Sequence, residues 1–403
     1  MTASGGLKGT ELAGLSGHSR RRLDSFLDQL AELVGIDSGT FDTDGVDRVG
    51  EALGGRLEAL GALVELRRDG AAGRTLIARF PSRVPGPRVL IVGHLDTVFE
   101  SGAANARPLV VRDGRAYGPG SADMKGGLLL LVHALEAIRE LGQGPVPAGE
   151  LIVVASPDEE VGSPVGSIAI RSEASRADVA LVLEPARPTG ELIAARKGML
   201  QARLHFTGRA AHAGVEPERG RSAVLAAAHA TIALHALTGR PGGVTCSVGT
   251  VHGGTRPNVI PEEATLEFDL RASTREAMAD AEAAIAALCA RPAVENVTIR
   301  LQPIGRFPAM ERTAASETLL ALAVAIGRGL GATIRVVATG GASDANTIAE
   351  LGVPVLDGLG PVGGQMHSTH EYLVVDSIPE RVALLAGLVV ALGRTPLRIP
   401  PTP

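Results

Sequence analysis

The sequence predicts an α/β fold: a mostly parallel sheet with flanking helices, interrupted by an inserted ferredoxin-like α+β domain. Three observations carry this. Short aliphatic runs, Val89-Leu90-Ile91-Val92, Leu151-Ile152-Val153-Val154 and Val179-Ala180-Leu181-Val182-Leu183, read as strands buried on both faces of a parallel sheet. Helix-period stretches alternate with them, the pattern of right-handed βαβ crossovers. Beyond Gly198 the order becomes β-α-β-β-α-β, the split-βαβ signature. A chain of 403 residues also exceeds what one hydrophobic core usually organises. The expectation is a discontinuous first domain, 16–198 plus 307–403, with residues 199–306 inserted as an independent unit. Residues 1–15 are Gly-rich and are expected to be disordered.

Taken in order, Leu23, Phe26, Leu27, Leu30, Leu33 and Val34 recur at three- and four-residue spacing and predict a helix, with Arg20–Arg22 as its solvated start. A second helix is expected over 49–60, then strands over 63–67, 75–80 and 88–92. The apolar stretch 126–141 reads as a long helix whose Gly126-Gly127 pair permits close packing. In the insert, strands are expected at 200–207, 244–252, 264–271 and 294–301, and helices at 222–237 and 275–290. Ser273 and Glu276 suit a capping box for the latter helix, and Met278, Ala281, Ile285 and Leu288 form its buried stripe. Strands at 333–337 and 353–356 and a helix at 377–392 complete the chain, and the Pro-rich tail 399–403 cannot be helical.

Hydrophobic content of 45% and charged content of 21% are those of an ordinary globular enzyme, and the absence of Trp makes the core aliphatic. A formal charge of −5 provides no basic field for nucleic acid. Cys246 and Cys289 are too few for a disulfide framework and suit a reducing compartment, although a single bridge between them stays open. The N-terminus lacks an apolar secretory core, and no window approaches the ~20 apolar residues of a membrane span. The expected location is the cytoplasm.

Five side chains of metal-ligating type are spread along the first domain: His94 in HLDTV, Asp123 in SADMKGG, Glu160 in SPDEEVGS, Glu184 in LEPA and His367 in MHSTHEY. Each motif alone is weak, because surface turns and helix caps contain such residues by chance. Their placement separates them from chance. His94, Glu160 and Glu184 follow the carboxyl ends of three predicted strands, where open α/β sheets bind ligands. His and carboxylate donors without Cys suit a catalytic zinc site, with cobalt or manganese as substitutes. Two such ions need one bridging group, and the short, central Asp123 fits that place. Asp96 could accept the other imidazole N–H of His94, and Glu159, beside Glu160, could serve as the base. His370 competes with His367 as a ligand.

At this point a resemblance becomes specific. The segments GHLDTV, AYGPGSADMKGG, SPDEEVGS, LEPA, TGRAAHAG, RPNVIPEEA, TGGASDA and MHSTHEY resemble those of metallopeptidase family M20. That family includes bacterial glutamate carboxypeptidase, acetylornithine deacetylase, succinyl-diaminopimelate desuccinylase and aminoacylase. The likeness runs from about residue 24 to 393 and is closest to the glutamate carboxypeptidase branch. It implies a two-zinc catalytic domain and an inserted dimerisation, or lid, domain. His94, Asp123 and Glu184 match the ligands of one metal, and Asp123, Glu160 and His367 those of the other. Glu159 matches the base and Asp96 the orienting carboxylate, and a Glu at 371 selects His367 over His370. His212 matches a lid histidine that serves the partner subunit's site. Asn258, Arg271 and Arg306 match substrate contacts, and the backbone of Gly341 a cradle for the same substrate end. A cis peptide is implied at Asp123–Met124.

The expected activity is a homodimeric zinc hydrolase of small molecules, cleaving an amide bond next to a free carboxylate. An N-acylamino acid, a short peptide or a C-terminal glutamate would fit. The sequence around Arg196-Lys197 departs from the glutamate-specific pattern, so the leaving amino acid stays open. The rival enzyme reading is a biosynthetic deacetylase or desuccinylase. The rival of another class is a non-catalytic dimeric binding protein on the same scaffold.

Overall fold

The computed structural model describes residues 6–82, 84–142 and 149–394. The tail 399–403 lies outside them, as do residues 1–5. The chain forms two compact units: Met1–Ala194, Arg312–Ala338 and Ser343–Pro403 in one, Ala195–Glu311 and Thr339–Ala342 in the other.

Continuously buried aliphatic strands build the first unit around a six-stranded sheet. Its order is Leu63–Arg67, Thr75–Pro81, Glu150–Ser156, Arg88–His94, Val179–Val182 and Val355–Leu356. The last four strands run parallel to one another, and Thr75–Pro81 pairs antiparallel with both of its neighbours. Leu90, Ile91, Val92, Ile152, Val153 and Leu181 are fully buried, as two-sided coverage of a parallel sheet requires. Helix Lys125–Glu140 lies in the same core. A Cβ at Gly127 would come within 2.4 Å of the Leu183 carbonyl oxygen, so only glycine allows this approach of helix to strand end.

Several expectations need correction. The disorder expected for 1–15 fails over its described part, because Gly9–Arg21 is a helix with Leu12 and Leu15 buried. It packs against helix Ile378–Arg394, a long-range contact that Gly-rich composition conceals. Arg20 and Arg21 therefore end a helix, where cations suit the negative pole, and do not start one. The second helix begins at Thr43, not 49, because the Asp42 carboxylate accepts the Gly45 N–H at 3.0 Å and caps it.

The second unit is an antiparallel four-stranded sheet in the order Thr245–Gly253, Glu263–Ala272, Gly198–Thr207 and Thr298–Phe307. Helices Ala223–His235 and Arg275–Ala290 pack on it, giving the β-α-β-β-α-β order, with a separate core around Leu204, Phe206 and Leu266. Its last strand spans 298–307, not 294–301, and accommodates Pro303 at a register shift on the sheet edge. Thr274, not Ser273, caps the second helix, accepting from the Ala277 N–H at 3.1 Å. Residues 339–342, expected in the first domain, belong to this unit. Lys197 N–H donates to the Thr339 carbonyl (3.0 Å) and the Arg271 guanidinium to that of Gly340 (2.7 Å). No helix among the described residues is long and apolar enough to cross a membrane.

Candidate metal centre

The parallel register sets the site. His94 ends its strand opposite Ser156, the last residue of Glu150–Ser156. The chain then enters the short turn Glu159–Val161, pinned by the Asp158 carboxylate accepting from Val165 N–H (2.7 Å) and Gly166 N–H (2.9 Å). On the other flank Val92 pairs with Val182, and Glu184 follows two residues later. Three strand ends thus deliver His94, Glu159-Glu160 and Glu184 to one edge of the sheet.

Asp123 arrives from the loop before helix Lys125–Glu140. That loop is held by the buried Glu371 carboxylate, which accepts the backbone N–H groups of Gly120 (3.0 Å), Ala122 (2.9 Å) and Asp123 (2.9 Å). Burial raises the Glu371 carboxyl to about 7. The Asp123–Met124 peptide is cis. His367 sits in a loop at φ 61°, a left-handed conformation uncommon outside glycine.

The five candidates meet in two sets. His94 Nε2 is 3.2 Å from Asp123 Oδ1 and 3.9 Å from Glu184 Oε1. His367 Nε2 is 3.4 Å from Asp123 Oδ2 and 3.1 Å from Glu160 Oε2. In each set the donor atoms lie within 4.8 Å of one another, and Asp123 belongs to both through different oxygens. Donors on a tetrahedral zinc, each bonded at ~2.1 Å, stand ~3.4 Å apart. The spacing and the all-nitrogen-and-oxygen donor set therefore fit a metal pair. His370, the competitor, is exposed and outside both sets.

Electrostatics agree with this fit. Burial opposes charging His94, but hydrogen bonding to Asp123 and Asp96 outweighs it and raises the imidazole well above its usual pKa. Hydrogen bonding to Asp123 and Glu160 lifts His367 to about 10. Burial would raise Asp123, yet His367 and His94 hold it well below the carboxylate range. Burial, reinforced by the Glu184 charge, pushes Glu159 far up, and burial raises Glu160. So many carboxylates in one place demand positive charge, which protons meet at the imidazoles and divalent cations would meet equally.

Asp96 ties the site together. Its carboxylate lies 3.2 Å from His94 Nδ1 and accepts from Glu159 N–H (3.1 Å), Glu160 N–H (3.2 Å) and Thr40 Oγ1 (2.7 Å). It therefore fixes both the ring of one candidate ligand and the turn that carries another. Sequence reasoning missed Thr40, which no motif marks. It also missed Asp344, although TGGASDA contains it. Asp344 is buried, accepts hydrogen bonds from Ser156 (2.8 Å) and Ser163, and is raised by burial to about 6.

The remaining candidates belong to the second unit. His212 and Asn258 are exposed and adjacent: His212 pairs with Val259, and the Asn258 carbonyl accepts from Ala213 N–H at 3.0 Å. Arg271 is bidentate to Asp269 (2.8 and 3.0 Å), and Arg306 reaches Glu282 (3.1 Å). The Gly341 carbonyl accepts from Arg196 at 3.0 Å. Cys246 and Cys289 are both free thiols.

Comparison with known proteins places this geometry in context. The sequence pattern of peptidase family M20/M25/M40 matches residues 90–391. Carboxypeptidase G2 of Pseudomonas sp. (strain RS-16) is 30% identical over 369 residues, covering 90% of this chain and 88% of the relative. Succinyl-diaminopimelate desuccinylase of Dechloromonas aromatica is 28% identical over 360 residues, covering 84% and 91%. Among solved structures, aminopeptidase PepT from Bacillus cereus matches with a TM-score of 0.72 at 23% identity, covering 92% of this chain and 98% of that one. An M20 family metallo-carboxypeptidase from Sulfolobus solfataricus matches with a TM-score of 0.71 at 14% identity, covering 91% and 99%. At these identities the structural matches speak for the fold alone.

Proposed function

Because the chain belongs to peptidase family M20/M25/M40, and is thereby a zinc-dependent hydrolase of amide bonds, we propose that it uses two metal ions to cleave an amide next to a free carboxylate. The observation that carries this reading is Asp123, with one oxygen beside His94 and the other beside His367. His94, Asp123 and Glu184 would hold one ion, and Asp123, Glu160 and His367 the other. When bound, such ions polarise the scissile carbonyl and acidify the attacking water.

The chain's own groups do the rest. Glu159 takes the water's proton and passes it to the leaving nitrogen, and its raised proton affinity suits both steps. Asp96 holds the His94 ring and the Glu159-Glu160 turn in place. From the second unit we assign His212 to stabilisation of the developing oxyanion, and Asn258, Arg271, Arg306 and the Gly341 backbone to the substrate carboxylate. For Arg271 the assignment requires that its Asp269 pairing leave a donor for substrate. We further assign a homodimer through this unit. Strand Thr245–Gly253 is a sheet edge, and Leu225 and Ile232 on the neighbouring helix are 50% and 71% exposed. Two free thiols suit the cytoplasmic location we assign.

The test is a product-resolved assay of zinc-loaded protein against N-acylamino acids and short peptides. Metal-dependent release of a free amino acid is expected. No turnover of any substrate by protein that holds zinc, as measured by elemental analysis, would leave a binding protein as the better reading. Light scattering checks the dimer. The similarity to desuccinylases supports a second reading, a biosynthetic deacylase with the same catalytic groups.

A further inference from the structure

The segment TGGASDA supplies a buried carboxylate that the hydrolytic scheme does not use. Asp344 is 2% exposed and forms no ion pair among the described residues. A carboxylate taken out of water without a cation is costly unless its oxygens are hydrogen-bonded. Here each oxygen takes one serine hydroxyl: Oδ2 accepts from Ser156 Oγ at 2.8 Å, and Oδ1 accepts from Ser163 Oγ.

Those serines are the two feet of the turn that carries the base. Ser156 ends strand Glu150–Ser156, the turn Glu159–Val161 holds Glu159 and Glu160, and Ser163 stands at its exit. Both serines are fully buried. Ser163 has a φ of 53°, a left-handed conformation that a residue other than glycine keeps only where its surroundings hold it. Its N–H donates to the Asp158 carbonyl (2.9 Å) and its hydroxyl to Asp344. Ser156 is wedged as well, since a Cβ on Gly166 would come within 2.3 Å of its own Cβ.

Asp344 is in turn fixed to the sheet. It opens helix Asp344–Glu350, whose N-cap Ser343 accepts from Ala345 N–H (3.2 Å) and donates its hydroxyl to the Asp357 carboxylate (2.9 Å). Asp357 follows strand Val355–Leu356, which pairs in parallel with Val179–Val182. One carboxylate therefore joins strand end to turn exit, while Asp96 accepts the Glu159 and Glu160 N–H groups in between.

We propose that Asp344 is a positioning residue, which sets where Glu159 and Glu160 stand by drawing Ser156 and Ser163 onto one carboxylate. It rests on the amide-hydrolase reading above. The test compares variants in zinc-loaded protein, with thermal melts to show that each is folded. Asp344→Ala should lower kcat on N-acylamino acids or short peptides by about 10- to 100-fold, the cost of a misplaced reacting group, and leave KM nearly unmoved. Zinc affinity at the position of Asp123, Glu160 and His367 should fall by about 10- to 100-fold, and the cobalt-substituted spectrum should change with it. The position of His94 and Glu184 should keep its ion. Asp344→Asn retains an oxygen and adds a donor to which either serine can turn, so it should recover most of both losses. In the Asp344→Ala background, Ser156→Ala and Ser163→Ala together should add less than about twofold, because the link they serve is already gone. Full kcat and zinc affinity in folded Asp344→Ala, or a serine-pair loss as large in that background as in the wild type, would overturn the assignment. If Asp344→Ala does not fold, Ser163→Ala decides, and an unchanged kcat and cobalt spectrum in it would sink the proposal. If the wild type hydrolyses no amide, the hydrolase reading fails and zinc titration decides. Weaker binding in Asp344→Ala that Asp344→Asn restores then upholds the positioning role, and indifferent binding removes it.

Discussion

At the residue scale, the site depends on how one carboxylate is shared and another withheld. Asp123 has an oxygen next to each imidazole, whereas Glu159 belongs to neither donor set. Replacing Asp123 by Asn should therefore empty both metal positions, while His367→Ala should empty one and leave the His94–Glu184 position filled. Elemental analysis after dialysis distinguishes these outcomes, and equal losses in the two variants would contradict the bridge. Glu159→Gln should keep its metal and lose turnover by roughly 10²- to 10⁴-fold, the usual worth of a positioned base. A variant with full zinc content and an undiminished kcat would remove Glu159 from that role.

At the element scale, the ends of strands and the start of one helix fix where the ligands stand. Parallel pairing of Arg88–His94 with both neighbours leaves no freedom to slide, because a one-residue slip would exchange the side chains packed on its two buried faces. Helix Lys125–Glu140 begins two residues after Asp123, and Gly127 lets it rest on the Leu183 carbonyl, next to Glu184. Gly127→Ala should force the two apart. A loss of about 1–3 kcal/mol is expected in a denaturant melt, as for other overpacked core sites. Zinc retention should fall with it, since Glu184 moves with that strand end. Unchanged stability and zinc content would show that the contact is slack.

At the scale of the whole molecule, a group far along the same helix contributes to acid sensitivity. His133 is 1% exposed, its Nε2 has no hydrogen-bond partner among the described residues, and the Phe26 ring lies 5.1 Å from its own. Burial, aided by the Arg22 charge, pushes its imidazole down to about 4. In the unfolded chain a histidine takes its proton near pH 6.5, so below that pH the unfolded state binds the proton and the folded state does not. The contribution of His133 is complete above about pH 6.5 and is lost as pH drops towards 4, on the order of 3 kcal/mol at about 1.4 kcal/mol per unit. His133→Leu should flatten this acid limb in urea melts at pH 7 and pH 5. An unaltered slope would place the acid sensitivity elsewhere.

What the sequence by itself determined is whatever repeats at short range. Buried aliphatic runs named the parallel strands, and the ends of those runs named His94, Glu160 and Glu184. The β-α-β-β-α-β order of the second unit was equally legible, because binary patterning there follows each element's own period. The helix at Gly9–Arg21 was not, since its small residues show little apolar pattern and it packs against Ile378–Arg394 from the far end of the chain. Nor was the part played by Thr40, which reaches Asp96 across 56 positions, or by residues 339–342, held by backbone carbonyls that carry no residue identity. Periodicity fixes elements because it is local. Contacts between distant segments are decided by packing and by hydrogen-bond partners that exist only once the chain has closed on itself.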